Sequence, residues 1–155
     1  MTIEFTLWSL SAATYQQAVE AGRLTAEHTS ECRKIAQDWD LLARVLAAGD
    51  PEAPAATAIT GGHVLENDLP DYGGTRIFSP YEVALLAAAL DAVDEAEFDR
   101  RYRIADFTGV HGSHDSGVDA DSTAQRSRLF ASFTHLQTSY NDAAARGDAV
   151  AIWLG

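Results

Sequence analysis

The stretch DAVAIWLG, residues 148–155, constrains the fold more than any other. Nearly every side chain in it is apolar. A strand turns successive side chains to opposite faces, so a strand that is apolar on both is expected inside a sheet covered on both sides. The other end of the chain reads differently. TIEFTLW, residues 2–8, alternates: Ile3, Phe5 and Leu7 share one face, and Glu4 and Thr6 the other. That is the pattern of a half-buried strand. Chain termini often lie close together, so the two strands are expected to be neighbours. Helical patterns fill the interval and predict an α+β fold. The expected architecture is a small mixed or antiparallel sheet that includes the N- and C-terminal strands. Two long helices and several short ones pack it. A chain of 155 residues suffices for one domain over residues 1–155 with a proper core.

Local signals place the helices. Ser11 opens a short helix that Gly22 closes, glycine being the favoured residue just past a helix end. Ile35, Trp39, Leu42 and Leu46 follow three-and-four spacing and predict a first long helix over residues 30–48, ended by Gly49 and the turn DPEAP. TAIT, before Gly61 and Gly62, reads as a short strand. In TRIFSPYE, Thr75 to Phe78 read as a strand; Ser79, Pro80 and Glu82 then fit the N-cap, N1 and N3 positions of a helix. Asp94 and Glu97 start another short helix by the same logic. The pattern dissolves after Ile104 until about Asp121. A long helix then runs to Arg146, with Leu129, Phe133, Leu136 and Tyr140 as its apolar stripe and Gly147 as its end.

Charge and cysteine content narrow the functions. The net charge is −12, which repels phosphate backbones and anionic membranes and argues against both as partners. A basic protein partner would be attracted and steered instead. Lys34 is the only lysine; every other basic residue is an arginine. Cys32 is the sole cysteine, so neither an internal disulfide nor a four-cysteine zinc site can form within one chain. It falls in the approach to the first long helix, outside any nucleophile signature. No apolar run is long enough to span a bilayer. MTIEFTLWSL lacks a basic leader region, so the expected location is the cytoplasm.

Several residues are candidates for chemistry. GVHGSHDSGVDADS, residues 109–122, crowds His111, His114, Asp115, Asp119 and Asp121 among glycines and serines. His111 and His114 can share a metal if the backbone turns tightly, with a carboxylate as third ligand. No helix holds the pair in register, and the acids lack the glycine and glutamate positions of an EF-hand. The simpler reading is a solvated loop whose Asp115, Asp119, Asp121 and His114 contact a partner. Tyr72 and Arg76 flank the Gly73–Gly74 turn as ligand-pocket candidates. The preferred alternative has Arg76 fixing the turn by pairing with a buried carboxylate or a carbonyl. Arg100, Arg101 and Arg103 complement a helix C-terminus. His63 lies near Glu66 and Asp68 in sequence, without a nucleophile beside it. His135 reads as a half-buried histidine. Trp39, Trp153 and Tyr140 are expected in the core. Trp8 falls on the face opposite Phe5 and Leu7, and is a candidate exposed interface anchor.

The ordered set WDLLARVLAAG (39–49), ITGG (59–62), YGGTRIFSPYEVALLAAAL (72–90), EFDRRY (97–102) and SYNDAAARGDAVAIWL (139–154) resembles the YfbM-like family of small bacterial proteins, a domain of unknown function. The resemblance covers about two thirds of the chain, and its most specific piece is the run from Gly73 to Val83. It implies a single α+β domain and supplies no catalytic residues. Relatives usually carry a Tyr-Pro and a Trp after the Arg-Tyr motif; here IADFTGVHGSHDSGVDADS has neither. The N-terminal strand also lacks the glycine- and tyrosine-rich start of the family.

The leading expectation is a non-catalytic acidic protein-binding domain without a cofactor. Its most concrete form is an immunity-type protein that neutralises a toxin, a class-level analogy. Two alternatives stand beside it: a metal-assisted hydrolase using the 111–121 cluster, and a self-associating structural domain anchored by Trp8.

Overall fold

The computed structural model describes residues 5–24, 31–35, 39–50, 52–65, 67, 75–105 and 123–154. In chain order the elements are β1 (Phe5–Leu10), α1 (Ala12–Ala21), β2 (Glu31–Ile35), α2 (Trp39–Ala47), α3 (Pro54–Thr60), β3 (His63–Val64), β4 (Arg76–Phe78), α4 (Pro80–Asp91), α5 (Glu95–Ile104), α6 (Thr123–Arg146) and β5 (Ala149–Leu154). The fold is α+β. One sheet has the order β2-β1-β5-β4-β3, and every pairing in it is antiparallel. The two terminal strands are neighbours: Phe5 faces Leu154 and Leu10 faces Ala149.

β5 occupies the centre because it is apolar on both faces. Val150 and Ile152 enter the larger core, with Phe5 and Leu7 of β1 and side chains from α2 to α6. Ala149 and Ala151 enter a smaller core on the other face, with Leu10, Ala18 of α1, Leu65 and Ile77.

Local rules account for most helix ends. Ser11 caps α1 by accepting from Thr14 N, and Gly22 closes it at φ 69°. That left-handed backbone favours glycine. A Cβ there would also meet Nδ2 of Asn67 at 2.7 Å. Asn67 in turn donates to Ala21 O and Gly22 O, each at 2.8 Å. Ser79 and Glu82 form the full capping box of α4, with Pro80 in the first turn. Asp94 caps α5.

Two expectations are corrected. Residues 30–48 are not one helix. Residues 31–35 form β2, paired with β1 from Phe5↔Ile35 to Ser9↔Glu31, and the helix is only Trp39–Ala47. The helical spacing from Trp39 through Leu42 and Leu46 is real; Ile35 joined it by coincidence. What decides residues 31–35 is the ladder that the edge of β1 offers, a non-local term that overrides local spacing. Cys32 thus sits in a strand, opposite Trp8. The second correction concerns TAIT, which belongs to helix α3. Its threonines and isoleucine favour a strand, but Pro54 at the first turn and the flanking alanines start a helix that Gly61 ends. Among the described residues one long helix remains, α6, with 24 residues.

Candidate functional site

Arg76 opens β4, and its side chain turns to the helix-covered face. Nη1 donates to Gly61 O and Nη2 to Ile59 O, both at 2.9 Å. The Tyr140 hydroxyl donates to Ala58 O at 2.7 Å. Three carbonyls at the end of α3 are thereby satisfied by side chains, and a cation meets the negative end of the helix dipole. Burial pulls the Arg76 pKa below its ordinary value, with Tyr140 acting the other way. Burial pushes the Tyr140 phenol up, which the Arg76 charge opposes. Arg76 is therefore a clamp on α3 through carbonyls. Its ligand-pocket companion, Tyr72, lies outside the described residues.

A groove of about 480 Å³ lies on the opposite face of β4, between α1 and the β3–β4 edge. Tyr15, Val19, Glu20, His63, Leu65 and Ile77 line it, and Arg76 does not. His63 is 77% exposed, and its Nε2 stands 3.9 Å from Glu82 Oε2. An exposed pair at that range contributes little. Glu66 and Asp68 lie outside the described residues. A second cleft, about 550 Å³, runs beside α2 and α3, with Asp40 and Arg44 at its wall.

Trp8 is half-buried, not exposed as expected. Its ring lies 6.4 Å from that of Trp153, and it packs on the smaller core. Trp153 belongs to this half-buried corner rather than to the main core. Trp39 is partly buried against the larger core, and Tyr140 is fully buried. His135 is exposed on α6. Ser9 donates to Asp148 Oδ2 at 2.8 Å and accepts from Arg146 Nη2 at 2.8 Å. Its proton faces a carboxylate and its oxygen a guanidinium, so this serine ties β1 to the α6–β5 turn.

The loop candidates His111, His114, Asp115, Asp119 and Asp121 lie outside the described residues. Among the described residues, no group of three or more His, Cys, Asp or Glu side chains is placed to hold a metal. No described helix is long and apolar enough to cross a membrane.

The surface that stands out is the outer side of α4. Val83, Leu86, Ala87 and Leu90 face inward and are buried. Tyr81, Ala84, Leu85 and Ala88, continued by Ala92, form a second stripe that is exposed. Tyr81 is 74% and Leu85 55% exposed. A helix that is apolar all round normally has neighbours on every side. The only charges on α4 are Glu82 and Asp91, at its two ends. Sequence reasoning recognised this helix but missed the stripe. The signal was present: from Val83 to Leu90 no polar residue interrupts the helix.

An antiparallel five-stranded sheet, helix-rich on one face and covered by α1 on the other, defines an α+β fold with an apolar helix surface. A family model matches residues 2–153, and the chain belongs to that family, described as Domain of unknown function (DUF1877). Among solved structures, the crystal structure of a protein of unknown function, YfbM from Escherichia coli, is similar with a TM-score of 0.69 and 18% sequence identity. The similarity covers 98% of this chain and 99% of that one, and it bears on the fold. No curated protein matches the chain.

Proposed function

We propose that this chain is a non-catalytic protein-binding domain, and that α4 carries the contact. The observation behind the reading is the exposed stripe built on Tyr81 and Leu85. Burying such residues against a partner removes apolar surface from water, the main favourable term in association. The net charge of −12 favours a basic partner and speeds its encounter. An immunity-type protein facing a basic toxin is the most concrete form. Asp115, Asp119, Asp121 and His114 are its further candidate contacts.

The test is native mass spectrometry of protein purified gently from its own cells, beside a Tyr81→Gln/Leu85→Gln variant. The wild type should carry a second protein in stoichiometric complex, and the variant should lose it. A complex that survives the double substitution would remove α4 from the contact. A transition-metal adduct in place of a partner would overturn the reading in favour of metal-assisted chemistry.

A further inference from the structure

We propose that the outer stripe of α4 receives a basic amphipathic helix; this rests on the protein-binding reading above and names the chemistry of the partner. Tyr81, Ala84, Leu85, Ala88 and Ala92 recur at the three-and-four spacing that keeps side chains on one side of a helix. From Tyr81 to Ala92 the stripe is about 16 Å long, since each residue rises about 1.5 Å. Tyr81 and Leu85 stand up at its N-terminal half, while alanines leave the C-terminal half low. A helix laid along it reaches the alanines with its own large side chains and packs around the Tyr81 and Leu85 knobs.

Charge decides what borders that partner's apolar seam. Glu82 and Asp91 flank the stripe, and α4 carries no basic residue. Asp91 lies in the last turn, where the helix dipole is also negative. Its described hydrogen-bond partner is Asn141, which donates at 2.9 Å and brings no positive charge. Lysines or arginines beside the partner's seam would meet Asp91 first; Glu82 already accepts from Ser79 N through Oε1, and its Oε2 lies 3.9 Å from His63 Nε2.

The same charges argue against a second copy of this chain as the occupant. Neither an antiparallel nor a parallel pair of α4 helices offers these acids a cation, since α4 carries no basic residue, and each copy brings a further net −12.

The experiment uses the full chain and a labelled synthetic helix of leucine and lysine, about 18 residues or five turns long. A control peptide has every lysine replaced by glutamate. Fluorescence anisotropy is read at low and high salt. The lysine peptide should bind and the glutamate peptide should not. Leu85→Gln should weaken binding about tenfold, as loss of an apolar anchor does. Asp91→Asn should weaken it less and reduce its salt dependence. Circular dichroism and the Tm check that each variant keeps its fold. Equal binding of both peptides, or unchanged affinity in Leu85→Gln, would overturn the proposal. So would a discrete dimer of the wild type that Leu85→Gln dissolves. The two readings separate on the cellular complex. If Tyr81→Gln/Leu85→Gln abolishes it but salt leaves it unchanged, α4 binds a protein and the basic-helix inference fails.

Discussion

Helices α4 and α5 follow one another and both show a face to solvent, but they finish that face by opposite means. On α5, Glu97 pairs with Arg100 and Arg101. Glu95 and Asp99 pair with Arg126 of α6, whose guanidinium lies 4.8 Å from the Phe130 ring centre. Arg101 also donates to Leu46 O at 2.7 Å and so fastens α5 to the end of α2. Five of the six charges on α5, all but Arg103, have described partners within the chain. The outer stripe of α4 holds Tyr81 and Leu85 in water and brings no polar group of its own between its ends. One surface is closed by its own charge pairs; the other leaves large apolar side chains exposed.

The sharpest way to break that contrast is to shave α4 on each side. Leu90 is fully buried, and Leu90→Ala should cost about 2–5 kcal/mol in a urea titration. Leu85→Ala should stay within about 0.5 kcal/mol of wild type. Equal losses would mean that the outer stripe belongs to the core. A smaller effect tests α5. Arg101→Ala removes a charged donor from Leu46 O and should cost about 2 kcal/mol, whereas Arg100→Ala, which loses only an exposed pair with Glu97, should lower the midpoint less. If the two arginines proved alike, α5 would be decorated with charge rather than fastened by it. The smallest effect is in acid. The Arg100 hydrogen bond, helped by Arg101, holds the Glu97 carboxyl below the usual range against a desolvation cost. A depressed carboxylate contributes stability above its unfolded value and loses it as pH falls through the folded one. A Tm series should therefore show Glu97→Gln less stable than wild type at neutral pH and converging with it in acid. Parallel curves would remove Glu97 from the account.

The parts legible in the sequence are those that local chemistry decides. Ser79, Pro80 and Glu82 announce the start of α4 because a capping box lies within four residues. The apolar run from Ala149 to Leu154 announces a central strand because both of its faces need cover. Residues 31–35 were not legible: their state depends on pairing with β1, some 26 residues earlier along the chain. Arg76 was legible as a turn-fixing cation with a carbonyl partner among its options. That it clamps α3 was hidden, because TAIT read as a strand and left no helix end to clamp. The α4 surface was missed because the inward and outward stripes, 83-86-87-90 and 81-84-85-88, merge into one apolar run when read along the chain. Only burial tells them apart.

The placement of β5 has a consequence for how the protein is made. Synthesis proceeds from the N-terminus, and domains generally fold as they emerge. Here the strand that joins β1 to β4 is the last of the five to be translated. Until residues 149–154 leave the ribosome, β1 and β4 each keep an edge that offers unpaired backbone groups. From the emergence of β4 until that of β5 the nascent chain carries two open halves of a sheet. Closure then depends on contacts such as Phe5 with Leu154, among the longest-range pairings a chain of this length allows and the slowest kind to form.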